Sequence, residues 1–140
     1  MQRALGLDVG TRRIGAALSD PLGISAQRLT VIERHDPARD FHAIASLVST
    51  HEVGVVVVGL PLTLKGTRSE QTKSVEEFVN GLRQRLACPV EVVDERLTTV
   101  EGHRALRSTG ASPRTHKRLI DQVAAQLILQ TYLDAHARTT

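Results

Sequence analysis

At 140 residues, 41% of them hydrophobic and 24% charged, the chain is long enough for one well-buried core and too short for two large lobes. A single cysteine, Cys88, excludes an internal disulfide and a cysteine cluster for zinc, and the six scattered histidines lack metal-ligand spacing. No stretch reaches the roughly 18 apolar residues of a membrane span and no basic-then-apolar leader is present, so one cytoplasmic domain over 1–140, without a membrane partner, is expected.

The net charge of +3 is unevenly spread. Between Arg96 and Ile120 stand six basic residues, Arg96, Arg104, Arg107, Arg114, Lys117 and Arg118, against one acid, Glu101, while the remainder is net acidic. Such a segment is an electrostatic footprint for a polyanion, with a solvated helix face as the alternative. Arginine supplies 15 of the 18 cations, which favours forked phosphate contacts. Aromatics are only 2% of the chain, so no platform exists for stacking single-stranded bases. A nucleic-acid ligand would be recognised through shape and phosphates.

Residues 3–9 and 13–19 read as a hairpin. Asp8 stands within its apolar first strand, where an unpaired carboxylate costs several kcal/mol, so it either binds a cation or caps the turn that follows. The residues after it suit a tight hairpin, in which Gly10 can take positive φ and Thr11 and Arg12 can bridge to the second strand. Ile24–Ile32 is a third strand, reached through Asp20-Pro21-Leu22-Gly23, and completes an antiparallel meander. Asp36-Pro37 then caps and opens an amphipathic helix carrying Phe41, Ile44, Leu47 and Val48 and ending near His51.

Val55–Gly59 has the continuous β-branched character of a strand buried on both faces of a parallel sheet, next to the first strand. The loop Leu60–Arg68 leaves its carboxyl end, where open α/β sheets bind ligands, so Lys65 and Arg68 either reach phosphate or merely solvate the loop. Val75, Phe78, Val79, Leu82 and Leu86 mark a second helix, and Pro89–Asp94 a fifth strand returned by a parallel crossover. That strand ends in Asp94-Glu95-Arg96-Leu97-Thr98-Thr99. Its adjacent carboxylates point to opposite sides while the strand persists, and Thr98 or Thr99 caps a following helix. A salt bridge to Arg96 is the structural alternative. The terminal helix starts near Arg114, with Ile120, Val123, Ala124, Leu127 and Thr131 as its inward stripe. Asp121 lies at the edge of that stripe, where pairing with Lys117 is the alternative role.

These elements predict an α/β fold with a five-stranded mixed sheet, an antiparallel meander plus two parallel strands, flanked by helices. Asp8, Asp94 or Glu95, and Asp121 come from three segments that this architecture brings beside the central strands. Acids without histidine or cysteine partners suit hard Mg²⁺ or Mn²⁺. Two such ions roughly 3.5 to 4 Å apart activate water and stabilise the leaving oxygen of a phosphodiester.

Leu5-Gly6-Leu7-Asp8-Val9-Gly10-Thr11-Arg12-Arg13-Ile14-Gly15, Val58-Gly59-Leu60-Pro61-Leu62, Asp94-Glu95-Arg96-Leu97-Thr98-Thr99 and Asp121-Gln122-Val123-Ala124-Ala125, with Ile128 to Asp134, together resemble the YqgF (RuvX) family over nearly the whole chain. The resemblance implies an RNase H-like fold, a cytoplasmic location and a divalent-metal nuclease maturing the 5′ end of pre-16S ribosomal RNA, with Holliday junction resolution as the alternative. It puts the family's acids, as catalytic residues and metal ligands, at Asp8, Glu95 and Asp121, preferring Glu95 to Asp94. Thr11, Arg12 and Arg96 become phosphate contacts, beside Lys65, Arg68, Arg114 and Arg118 chosen on charge. RuvC-type resolvases carry a glutamate where this chain has Gly59-Leu60-Pro61, so the second acid is displaced to the next strand, at Glu95.

Three other functions compete. The Asp8-Val9-Gly10-Thr11 turn also resembles the phosphate hairpin of actin-like ATPases and sugar kinases, which need a second lobe, and no Walker loop is present. A non-catalytic RNA-binding assembly factor would not need the acids, which repel RNA unless a cation intervenes. A resolvase acting on branched DNA rather than structured RNA makes paired nicks and so predicts a two-fold homodimer.

Overall fold

The computed structural model describes residues 3–62, 65, 67–95 and 113–137, with side chains of the last helix described from Arg118 to His136. Strands β1 (Arg3–Val9), β2 (Arg13–Ser19) and β3 (Ala26–Glu33) form the expected meander. Then follow helix α1 (Pro37–Thr50), strand β4 (Val53–Leu60), helix α2 (Glu70–Arg85), strand β5 (Val90–Asp94) and helix α3 (Pro113–Ala137). The sheet order is β3-β2-β1-β4-β5, antiparallel across β3, β2 and β1 and parallel across β1, β4 and β5.

Local chemistry explains where the elements begin. Asp36 accepts the Arg39 N–H at 2.9 Å and Pro37 opens α1, as the sequence predicts. β3 starts two residues later than expected because the Asp20 carboxylate accepts the N–H groups of Ile24 and Ser25, at 2.7 and 2.9 Å, and keeps both in the turn. Ile24 is left 65% exposed. α2 starts five residues before its apolar stripe because Ser69 and Thr72 form a reciprocal capping box, and Thr72 Oγ1 also donates to the Pro61 carbonyl. Gly10 does not take positive φ. The β1–β2 turn closes instead through the Gly10 N–H on the Arg13 carbonyl at 2.9 Å.

Strand alternation divides the core into two layers. Leu5, Leu7 and Val9 face Phe41, Ile44, Val75, Phe78 and Leu82 of α1 and α2, together with Ile14, Ala16, Leu18, Val56 and Val58. Ala4, Ala17 and Val57 face the other way, onto Ala125, Ile128, Leu129 and Leu133 of α3. β4 is therefore buried on both sides, the reason its valines run without alternation. The α3 face of the sheet is made of small residues. A Cβ on Gly6 would lie 2.6 Å from the Leu129 Cβ, so the helix packs almost directly on the strands.

This seating corrects the expected inward stripe of α3. Ile120, Val123, Ala124, Leu127 and Thr131 are only half-buried, and Thr131 Oγ1 donates to the Leu127 carbonyl of its own helix. The helix is apolar on two neighbouring stripes, so periodicity did not decide between them. The shallow strip of glycine and alanine on the sheet did.

A part-buried ion pair braces the turn after Asp8. Asp40, 2% exposed on α1, accepts Arg34 Nε and the His35 N–H, each at 3.0 Å. Arg34 in turn donates to the Gly10 carbonyl at 2.8 Å and lies 5.0 Å over the Phe78 ring. Asp40→Ala leaves the guanidinium and the His35 N–H short of a partner. It is expected to lower the unfolding free energy by about 2 to 3 kcal/mol in urea titrations, with the slope unchanged.

Candidate active site

Asp8 projects toward α3 because its neighbours Leu7 and Val9 fill the opposite core. It stands opposite Gly15 of β2, and the β1–β4 register puts Gly59 beside it, one residue on from the Leu7–Val58 pair. These two glycines shape the site. A Cβ on Gly15 would sit 2.0 Å from the Asp121 carbonyl oxygen, so this turn of α3 rests on β2 and brings Asp121 in. A Cβ on Gly59 would sit 2.9 Å from Glu95 Cγ and 2.4 Å from Ile128 Cδ1, so the missing side chain is the space that Glu95 occupies.

Glu95 directly follows β5. Val93 packs in the α3 layer, and alternation puts Glu95 on that side and Asp94 on the other. The Glu95 carboxyl hydrogen-bonds that of Asp8. Burial pushes the Asp8 carboxyl well above the ordinary carboxylate range, reinforced by the charge and hydrogen bond of Glu95 and by the charge of Asp121. A cation held between two carboxyls in such contact relieves their repulsion.

Asp121 is engaged differently: its Oδ2 accepts Arg13 Nε at 2.6 Å, with the two side chains 24% (Arg13) and 20% (Asp121) exposed. Among the described residues no three acid, histidine or cysteine side chains stand at metal-ligand spacing. The close pair is Asp8 and Glu95, and Asp121 stands by it, held by Arg13. A pair of carboxylates fits a hard divalent cation, which binds through one or two carboxylates and completes its shell with water and phosphate oxygens.

The basic candidates scatter around this centre. Thr11 and Arg12 are exposed at the tip of the β1–β2 turn, and Arg12 makes no ion pair among the described residues. Both line a cleft of about 520 Å³ with Arg34, His35 and Ser74, and none of the three acids lines it. Lys65 is exposed. Arg68 pairs with Glu76 and Arg118 with Glu33, each at 2.5 Å, so both are engaged with surface carboxylates. Such pairs contribute about 0 to 1 kcal/mol and yield to a phosphate. Arg96, the threonine cap at Thr98 or Thr99, Arg104 and Arg107 lie outside the described residues, as do the side chains of Arg114 and Lys117.

Arg13 is the residue that sequence reasoning missed. The signal was available in the alternation of β2, where Arg13 shares a face with Gly15 and hence with Asp8 across the strand pair. No helix among the described residues is long and apolar enough to cross a membrane.

The mixed sheet, its strand order and the helices on both faces define an RNase H-like fold. Thermus thermophilus RuvC, solved in complex with a Holliday junction substrate, superposes with a TM-score of 0.64 at 14% identity, over 100% of this chain and 98% of that one. The fowlpox virus Holliday junction resolvase gives 0.57 at 10% identity, over 96% and 99% of the two chains. Within that class the chain belongs to the RuvX family, described as Holliday junction resolvase, whose profile matches residues 2–135. A relative from Chloroflexus aggregans is 51% identical over 134 residues, covering 96% of this chain and 94% of its own. One from Myxococcus xanthus is 45% identical over 96% of this chain and 89% of its own. Both carry the name "Putative pre-16S rRNA nuclease".

Proposed function

We propose that this nuclease depends on a divalent metal and processes the 5′ end of pre-16S ribosomal RNA in the cytoplasm, with Asp8, Glu95 and Asp121 as its catalytic acids and metal ligands. The observation that carries this reading is the contact between Asp8 and Glu95, whose mutual repulsion a cation relieves. Mg²⁺ or Mn²⁺ would be held by these two carboxylates with Asp121 as the third acid, and when bound supplies a Lewis acid and an activated water for phosphodiester hydrolysis. Asp8 contributes a rigid oxygen donor, since it is held in β1 between two glycine neighbours on which α3 and Glu95 close. Thr11 and Arg12, exposed at the tip of the turn that follows β1, would hold substrate phosphates away from the acids, and Lys65, Arg68, Arg96, Arg114 and Arg118 would extend that contact along the strand. The names of the relatives support the ribosomal RNA substrate.

Resolution of four-way DNA junctions is the second reading, favoured by the family's description and requiring a homodimer for paired nicks. Cleavage of a 5′ leader RNA and of a four-way junction, with Mg²⁺, with Mn²⁺ and with chelator, separates the two. Metal-dependent trimming of the RNA is expected, reduced about a thousandfold in Glu95→Gln, roughly 4 kcal/mol of barrier. Symmetric nicking of the junction alone would put the resolvase first. Cleavage of neither would leave a non-catalytic RNA-binding assembly factor.

A further inference from the structure

We propose that Arg13 is a positioning residue that acts through Asp121, fixing the orientation of the third acid at the metal site. The proposal rests on the reading of Asp121 as a metal ligand given above. Three observations carry it. The backbone of Asp121 has no freedom to approach β2, because its carbonyl lies where a Gly15 Cβ would be. Its carboxylate is then oriented, among the described residues, by Arg13 Nε, at 2.6 Å to Oδ2 across a sequence separation of 108 residues. Oδ1 has no hydrogen-bond partner among the described residues, and the charge of Asp121 is felt at Asp8. Among the described residues one oxygen is thus occupied and the other is not, on a carboxylate whose charge reaches Asp8.

Arg13 is itself braced. It stands opposite Glu33 in the β2–β3 register, and Glu33 pairs with Arg118, which precedes Asp121 on α3 by three residues. Charges alternate along Asp121, Arg13, Glu33 and Arg118, so the guanidinium is drawn toward carboxylates on both sides. A donor on the sister oxygen keeps the carboxylate ionised and sets its plane, and loss of such an outer partner typically costs 10–100-fold in metal affinity. The planar, forked guanidinium does this where a rotating ammonium does not.

The test reads Mn²⁺ binding to the full chain by the paramagnetic resonance signal of free ion, with no substrate present. The wild type is expected to bind Mn²⁺ in an Asp8-dependent manner. Arg13→Gln is expected to weaken binding about 10- to 100-fold, and Arg13→Lys, which keeps the cation between Asp121 and Glu33 and guards against a folding failure, about tenfold. In an Asp121→Asn background the change from Arg13 to Gln should shrink below about twofold, since a residue acting through Asp121 has nothing left to act on. Glu33→Gln should shift binding by less than about threefold. Undiminished or tighter binding in both Arg13 variants, or equal losses with and without the Asp121 carboxylate, overturns the role of Arg13. Absence of Asp8-dependent Mn²⁺ binding in the wild type overturns the metal reading as well.

Discussion

Asp8→Asn is expected to abolish metal-dependent cleavage and, in the same preparation, to raise the melting temperature measured with chelator. The two effects share one cause. Burial and the Glu95 carboxyl make an ionised Asp8 costly, and asparagine keeps the shape, removes the charge and offers Glu95 an N–H donor. The pH dependence follows from the direction of the shift. In the unfolded chain the carboxyl titrates near 3.8 and in the fold well above it, so between those values the unfolded state holds fewer protons. The stability that Asp8 contributes is therefore complete below 3.8 and is lost as pH rises through the folded value. The asparagine chain lacks that loss.

The difference in melting temperature should consequently widen from acid to neutral pH, reaching several degrees, since about 1 kcal/mol moves the midpoint of a domain this size by roughly 4 °C. Mg²⁺ should raise the midpoint of the wild type and leave Asp8→Asn where it is, and wild-type affinity should increase with pH because binding displaces a proton. A variant that melts at or below the wild type at neutral pH would show that Asp8 is not under electrostatic strain. Retained metal-dependent cleavage would remove it from the site.

Gly15→Ala is expected to be among the most damaging single-methyl additions in the protein. The new Cβ would meet the Asp121 carbonyl oxygen at 2.0 Å, a backbone atom with no rotamer to change, so β2 and α3 must part by more than about 1 Å to restore ordinary contact. That separation loosens the close approach of Leu129 to Gly6 and of Ile128 to Gly59. A loss of about 3 kcal/mol or more in unfolding free energy is expected from urea titration. Because the same movement carries Asp121 away from Asp8, cleavage under conditions where the variant is still folded should fall about a hundredfold. Wild-type stability in this variant would mean that α3 does not rest on β2 at Asp121.

Much of this molecule is decided within a few residues along the chain. The alternation of β1 and β2 assigns Leu5, Leu7, Ile14 and Ala16 to one face and Gly6, Asp8 and Gly15 to the other, and Asp36-Pro37 opens α1 through a hydrogen bond three residues away. Asp8, Asp94 or Glu95, and Asp121 stand out in the same way, as acids at a strand end or a helix turn, and the preference for Glu95 comes with the family resemblance. Tertiary structure decided what depends on the shape of two surfaces at once. The apolar stripes of α3 around Leu127 and Leu129 are locally equivalent, and only the small-residue strip on the sheet selects the second. Gly59 reads in the sequence as the place of a missing acid, whereas in the fold its lack of a side chain is what admits Glu95. The Arg13–Asp121 and Arg34–Asp40 pairs are ordinary surface-like charges in the sequence and become part-buried only when strands and helices meet. Periodicity, caps and motifs are short-range and survive in the one-dimensional chain. The orientation of a carboxylate is set by atoms more than a hundred residues away, and it exists only once the helix has docked.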